Sequence, residues 1–307
     1  MRPPRTLPWQ LAFLLLGATW GCSFLFIKLG LQSLTPVEVA FGRLAIGAIT
    51  LLVISAATGT RLPRRRETWG HLSVVALLFC SIPFTLFSFA ETQVTSILAA
   101  IVNSTTPLST LLVVMVAFPE DRPTRARIAG LVIGFAGALV VVGAWNGIGG
   151  ELAGILACFG AVACYGIAYP YTRRHLVGTG DGPISIATAQ VLLGALFLLP
   201  VVVGASLAGA GAMTLPVSAG TILGMLALGA LGSGVAYVLS THIVMTAGAT
   251  TASSVTYVTP LFAVVAGFLF LGEPVAWYQP VGGAIVQIVK LRAIVRLTPS
   301  GSFPESM

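Results

Sequence analysis

The sequence predicts an all-α polytopic membrane protein with ten transmembrane helices, arranged as two inverted five-helix repeats. Three observations carry this expectation: the composition, the number of long apolar runs, and a pattern of prolines, acids and glycines that occurs twice. Of the 307 residues, 56% are hydrophobic and only 8% charged, and the mean hydropathy is +0.97. A soluble domain carries about 25% charged residues because its surface must be wetted. Sixteen Lys/Arg and nine Asp/Glu do not cover a globule of this length, which excludes a soluble enzyme, a disordered chain and a disulfide scaffold. Cys22, Cys80, Cys158 and Cys164 all fall inside apolar runs without metal-ligand spacing. They read as small packing residues, and neither a metal nor a cofactor is expected.

A helix needs about 20 mostly apolar residues to cross the hydrocarbon layer. On that rule the spans are 9–29, 36–58, 69–90, 94–118, 126–145, 151–171, 183–206, 217–240, 249–271 and 276–295. The connections between them are short. Arg2 and Arg5 ahead of the first apolar run imitate a signal peptide, but that run holds Trp20 and Lys28 and lacks a small-residue cleavage site, so it reads as a true span. The polar segment 297–307 reads as a disordered tail.

Charge placement sets the expected orientation. With the N-terminus cytoplasmic, the inner segments hold Arg2, Arg5, Arg61, Arg64, Arg65, Arg66, Arg122, Arg125, Arg127, Arg173, Arg174, Lys290, Arg292 and Arg296, fourteen of the sixteen Lys and Arg. Lys28 and Arg43 are the exceptions. Both termini are therefore expected in the cytoplasm, in a multi-pass membrane protein. The net charge of +7 is met by lipid headgroups and calls for no nucleic acid.

The two halves match each other. An offset of 153 pairs Pro107 with Pro260, Ala99 with Ala252, Glu120 with Glu273 and Gly130 with Gly283. An offset of 147 pairs Pro36 with Pro183 and Gly47 with Gly194, and one of 145 pairs Trp20-Gly21 with Tyr165-Gly166. Such drift is what loop-length differences leave in a duplicated unit, here 1–148 and 149–296. Five spans is an odd number, so the second copy enters the bilayer from the opposite side. Inverted repeats are the architecture of many secondary transporters, with the substrate near the midplane between the halves. Two halves able to exchange conformations give inward-open and outward-open states of similar energy.

Trp20-Gly-Cys-Ser-Phe-Leu-Phe-Ile-Lys28, Pro36, Arg43 and the stretches Pro107–Gly130 and Pro260–Gly283, the latter with Leu271-Gly-Glu-Pro274, together resemble the two EamA domains of the drug/metabolite transporter superfamily. The resemblance covers nearly the whole chain. It implies a ten-helix bacterial inner-membrane carrier, commonly an exporter of amino acids or other small metabolites. One departure is plain: Gln287 and Lys290 stand where the first copy has Gly134 and Gly137, so the tenth span is short or snorkelled at its cytoplasmic end.

Arg43 is the sharpest single signal, about eight residues inside the second span, where a cation costs several kcal/mol unless paired or watered. It reads either as a cavity cation for a substrate carboxylate or as half of an ion pair with Glu38 or Glu91. Lys28, Glu38 and Glu91 are expected at the outer interface as a charge cluster. Pro107 and Pro260 fall in mid-span, where the ring removes a backbone hydrogen bond and supplies a hinge. Asn103-Ser104-Thr105-Thr106 and Thr256-Tyr257-Val258-Thr259 precede them. These polar groups are read as lining a cavity, the alternative being that they re-satisfy the kinked backbone. Trp20, Tyr165, Tyr169, Gln190 and Tyr237 are further candidate substrate contacts, with Asn103 and Tyr257. Gln190 takes the repeat position of Arg43, which predicts one pocket with a cation on one side and an amide on the other. Gly130, Gly134 and Gly137 read as a helix-packing stripe, and Glu120 and Glu273 as helix-start caps.

The expected partners are a small-molecule substrate and the bilayer, with the protein a monomer or weak homodimer. The competing class is an intramembrane lipid-modifying or hydrolytic enzyme. The sequence has no His-Glu-x-x-His, Gly-x-Ser-x-Gly or Walker A run, and Gly232-Ser233-Gly234 with His242 is the nearest imitation. A channel wants rings of like polar groups, and nothing in the chain supplies them.

Overall fold

The computed structural model describes residues 7–117, 151–209 and 217–285, with isolated helical positions between 129 and 140. Eight helices among the described residues are long and apolar enough to cross a membrane: α1 (Trp9–Gly30), α2 (Pro36–Thr58), α3 (Arg66–Ala90), α4 (Ser96–Val116), α5 (Leu152–His175), α6 (Pro183–Leu207), α7 (Ala219–Ala247) and α8 (Ala249–Leu271). At 1.5 Å per residue, helices of this length reach about 30 Å or more, the thickness of the hydrocarbon layer. The expected fifth span, 126–145, and the glycine stripe on it lie outside the described residues apart from those isolated positions. Of the expected tenth span, residues 278–285 are helical and the remainder, with Gln287 and Lys290, lies outside.

Local chemistry sets the ends. Thr35 and Glu38 close a capping box ahead of α2, with Pro36 in the first turn, where its missing N–H costs nothing. Gly59 ends the same helix at φ 65°. Thr95 caps α4 and Ser218 caps α7 through their side-chain oxygens. The α7 helix runs seven residues past its expected end at 240. Ser240 and Thr241 are both buried inside the bundle, and the helix continues to Gly248 at φ 88°.

Contacts at the two ends show that α1 and α5 run in opposite directions. Lys28, near the C-terminus of α1, donates to the carbonyls of Glu91 and Val94 at 2.6 and 2.8 Å. The turn those carbonyls belong to also receives the start of α5, because Gly154 N–H donates to Gln93 Oε1 at 2.9 Å. At the other end His242 near the C-terminus of α7 meets the carbonyl of Leu7 at 2.9 Å. The inversion expected from an odd number of spans is thus visible in the chain path.

The inversion extends to single contacts, and two helices of each half interlock with the opposite half. Both α3 and α7 contain a π-helical stretch, Leu77–Ser81 and Leu228–Val235. Such stretches widen the helix and release carbonyls. Arg43 on α2 donates Nε–H to Ser233 Oγ at 3.0 Å, and its repeat mate Gln190 on α6 donates to Cys80 Sγ at 3.5 Å. Cys80 and Ser233 are themselves 153 residues apart. A Cβ at Gly47 would meet Ser233 Cβ at 2.8 Å, and one at Gly194 would meet Cys80 Cβ at 2.9 Å.

Candidate functional site

Carbonyls of the two π-stretches organise the centre of the molecule. Phe79 O, in the α3 π-stretch, accepts the Tyr237 hydroxyl at 2.6 Å, and Gly232 O, in the α7 π-stretch, accepts the Trp20 indole N–H at 3.2 Å. Phe79 and Gly232 are again 153 apart, so the same position in each repeat anchors an aromatic residue from elsewhere. The Phe79 ring is the hub of these aromatics. Its centroid lies 4.7 Å from Tyr169, 5.2 Å from Tyr165, 5.6 Å from Tyr237 and 6.3 Å from Trp20.

Two spaces flank this hub. One, partly open, is lined by Trp20, Arg43, Asn103, Tyr165 and Tyr169, all expected from the sequence, and by Ser23, Phe24, Ile27, Phe79, Phe84, Phe87 and Thr256. The other, smaller, is lined by Phe79, Thr172, Gln190, Tyr237, Ser240, Thr241 and Val244. Gln190 and Tyr237 therefore do not share the cavity of Arg43. The expected single pocket with a cation and an amide is instead two spaces, with Phe79 in the wall of both. Tyr257 lines neither. The phenylalanines were not singled out in the sequence because an aromatic ring in an apolar run carries no mark of which way it faces.

Arg43 is only 3% exposed. Its guanidinium carbon sits 3.5 Å above the centroid of the Phe84 ring, a cation–π contact worth about 2 kcal/mol when desolvated. The ion-pair alternatives are corrected by the structure. Glu38 Oε2 accepts from the N–H and hydroxyl of Thr35 at 2.8 Å each, so this carboxylate belongs to the α2 cap. Neither carboxylate oxygen of Glu91 has a hydrogen-bond partner. Among the described residues, no carboxylate is hydrogen-bonded to Arg43. Glu91, expected at the outer interface, stands in the turn after α3 and is 1% exposed.

The proline segments depart from the expected kinks. α4 is interrupted by a turn at Ser104–Thr105 and restarts at Thr106, which puts Pro107 in the first turn of a new helix. In α8 a 3₁₀ turn, Ser254–Tyr257, precedes a helix that starts at Thr259, with Pro260 again in the first turn. A proline there forfeits no hydrogen bond, so each marks a break rather than a kink. The hydroxyls mostly re-satisfy the break, as the alternative reading held. Ser104, Thr105 and Thr106 donate to the carbonyls of Ile101, Val102 and Asn103 at 2.6, 2.7 and 2.7 Å. In the second half Ser254 and Thr259 donate to Thr251 and Thr256 at 2.7 and 2.9 Å. Asn103 and Thr256 alone of these two segments reach the cavity wall.

Glu273 caps a helix, though not the one that follows it. Its carboxylate accepts from the Ser96 N–H, Ser96 hydroxyl and Ile97 N–H at 3.0, 2.7 and 3.1 Å, closing the N-terminus of α4. Glu120, its repeat mate, lies outside the described residues. The serine and histidine that imitate a hydrolase are engaged separately, Ser233 with Arg43 and His242 with Leu7.

A bundle of inverted repeats around a central polar-aromatic cavity defines the class of multi-pass membrane transporters. The chain belongs to the EamA-like transporter family, whose model matches it twice, over residues 7–143 and 152–289. It is 26% identical over 292 residues to a protein of Streptantibioticus cattleyicolor named "Probable terminal-alkyne amino-acid exporter", covering 93% of this chain and 94% of that protein. It is 28% identical over 278 residues to the "Uncharacterized inner membrane transporter YedA" of Escherichia coli K12, covering 89% and 86%. A solved crystal structure matches with a TM-score of 0.66 at 19% identity, over 95% of this chain and 99% of that one, a likeness of fold.

Proposed function

We propose that this transporter exports amino acids or similar small carboxylate-bearing metabolites across the inner membrane by alternating access. The observation that carries the reading is Arg43: a buried cation in the cavity wall whose hydrogen-bonding partner is a neutral serine. A substrate carboxylate supplies the missing countercharge, and the guanidinium fork suits it bidentately. The aromatic walls, Trp20, Phe24, Phe84, Phe87 and Tyr165, suit an apolar side chain. Asn103 and Thr256, one from each broken helix, offer polar groups for the amino end. The breaks in α4 and α8 stand at matching repeat positions and act as the hinges, and the relative named as an amino-acid exporter agrees with this substrate class.

The test is counterflow in proteoliposomes loaded with unlabelled amino acids and presented with labelled L-phenylalanine, L-leucine or L-threonine. Saturable transient accumulation of at least one is expected. Absence of exchange by folded protein, or cleavage of the probe, overturns the reading. Orientation follows from the fourteen positive charges assigned to one side. Reporter fusions at both ends are expected to be active as cytoplasmic fusions, and an external C-terminus contradicts the ten-span topology.

A further inference from the structure

We propose that Glu91 is a proton-carrying site that couples transport to the proton gradient; this rests on the carrier reading above and names its coupling ion. Glu91 closes α3 and opens the turn to α4. It is 1% exposed, and neither carboxylate oxygen has a hydrogen-bond partner. An ionised carboxylate in such a place loses its hydration without replacement, whereas the neutral acid loses far less.

The surroundings make the site responsive rather than inert. Lys28 from α1 lies against the same turn, but its ammonium donates to the backbone carbonyls of Glu91 and Val94 instead of the carboxylate. Arg43 from α2 and Glu273 after α8 act on Glu91 through space, and Cys158 on α5 is the remaining titratable neighbour. Burial is the largest influence and pushes the carboxyl up, Lys28 pulls it down, Glu273 pushes it up and Arg43 pulls it down. Phe87, one helical turn before Glu91, is in the cavity wall, as is Ile27 beside Lys28.

Transfer of that proton to water leaves a carboxylate whose strongest charged attraction is to Lys28. Lys28 can follow it only by releasing the two carbonyls that tie α1 to the α3–α4 turn. Glu273 grips the same turn by capping α4. Proton loss therefore loosens one end of the transporter. At the other end an arginine lies near the corresponding turn, and the repeat mate of the acid is apolar. Arg173, the repeat mate of Lys28, comes within 3.3 Å of where a Cβ at Gly248 would stand, in the turn between α7 and α8. The 153 offset puts Val244 in the place of Glu91. The buried acid at this repeat position therefore belongs to one half only.

Two measurements test this. Infrared titration of the purified protein needs no substrate. A protonated-carboxyl band is expected at neutral pH that exchanges with deuterium, declines at alkaline pH and is missing in Glu91→Gln. A missing band, or one that neither titrates nor exchanges, overturns the site. In proteoliposomes, an imposed pH gradient is expected to accelerate net efflux of the labelled amino acid severalfold in the unmodified protein. In Glu91→Gln counterflow is retained and the response to the gradient is lost. Exchange with no response to pH in the unmodified protein, or a response retained in Glu91→Gln, overturns the coupling alone. No exchange by any labelled amino acid overturns the carrier reading instead, while the infrared result still decides the proton site.

Discussion

Arg43→Gln is expected to leave the fold intact and to weaken binding of the labelled amino acid roughly ten- to hundredfold, the loss of a charge-assisted hydrogen bond worth about 1.5–3 kcal/mol. The stability terms oppose each other. The variant loses the contact with the Phe84 ring, worth about 2 kcal/mol, and is relieved of a cation whose placement in the membrane costs about 2.5–3.5 kcal/mol. Glutamine at 43 also copies the amide that Gln190 already presents to Cys80 in the other half. Arg43→Lys should restore binding only in part, because an ammonium lacks the planar fork. Melting temperature and affinity measured on the same preparations decide the matter. A large fall in melting temperature with affinity kept among the folded molecules contradicts the binding role.

Gly21→Ala is expected to damage packing more than any other single methyl addition on α1. Its Cβ would stand 2.5 Å from the carbonyl oxygen of Thr259 and 2.6 Å from Phe262 Cβ. Neither can rotate away, so α1 must separate from the second segment of α8. Overpacking of this kind costs about 1–3 kcal/mol, read as a fall of several degrees in melting temperature and slower exchange. The repeat mate Gly166 faces Ser109, just after the break in α4: a Cβ there would overlap the hydroxyl oxygen and stand 2.8 Å from Ser109 Cβ and 2.9 Å from its backbone carbon. The hydroxyl can turn aside but the other two atoms cannot, so Gly166→Ala is expected to lower the melting temperature as well. Gly204→Ala on α6 is the control: nothing lies within 4 Å of its Cβ position, so stability should hold or rise slightly with the better helix former. Equal melting temperatures for the Gly21 and Gly204 variants contradict the close-approach account.

Much of the fold was legible because the bilayer imposes a length and a polarity on each segment. Expected span 36–58 is Pro36–Thr58 and expected span 249–271 is Ala249–Leu271, each bounded by residues that cap or break helices. The reading fell short where tertiary contacts decide: the span expected to end at 240 runs to Ala247, with Ser240 and Thr241 buried, and Glu91 is 1% exposed in the turn after α3. The candidate site was partly legible for the same reason. Arg43 stands out because a cation in a span demands an explanation, whereas Phe79, Phe84 and Phe87 resemble any residue that faces lipid.

The sequence by itself determined the helices, their inversion and the residues that recur in both halves, since these depend on hydropathy and spacing along one chain. Only the tertiary structure decided which recurrences meet. Arg43 reaches Ser233 and Gln190 reaches Cys80 because α2 and α6 each lie against a π-stretch of the opposite half, and carbonyls of those stretches accept the Trp20 and Tyr237 hydrogen bonds. Which backbone groups go free, and which charges are left without a partner, is a property of helices in contact, and no single segment carries it.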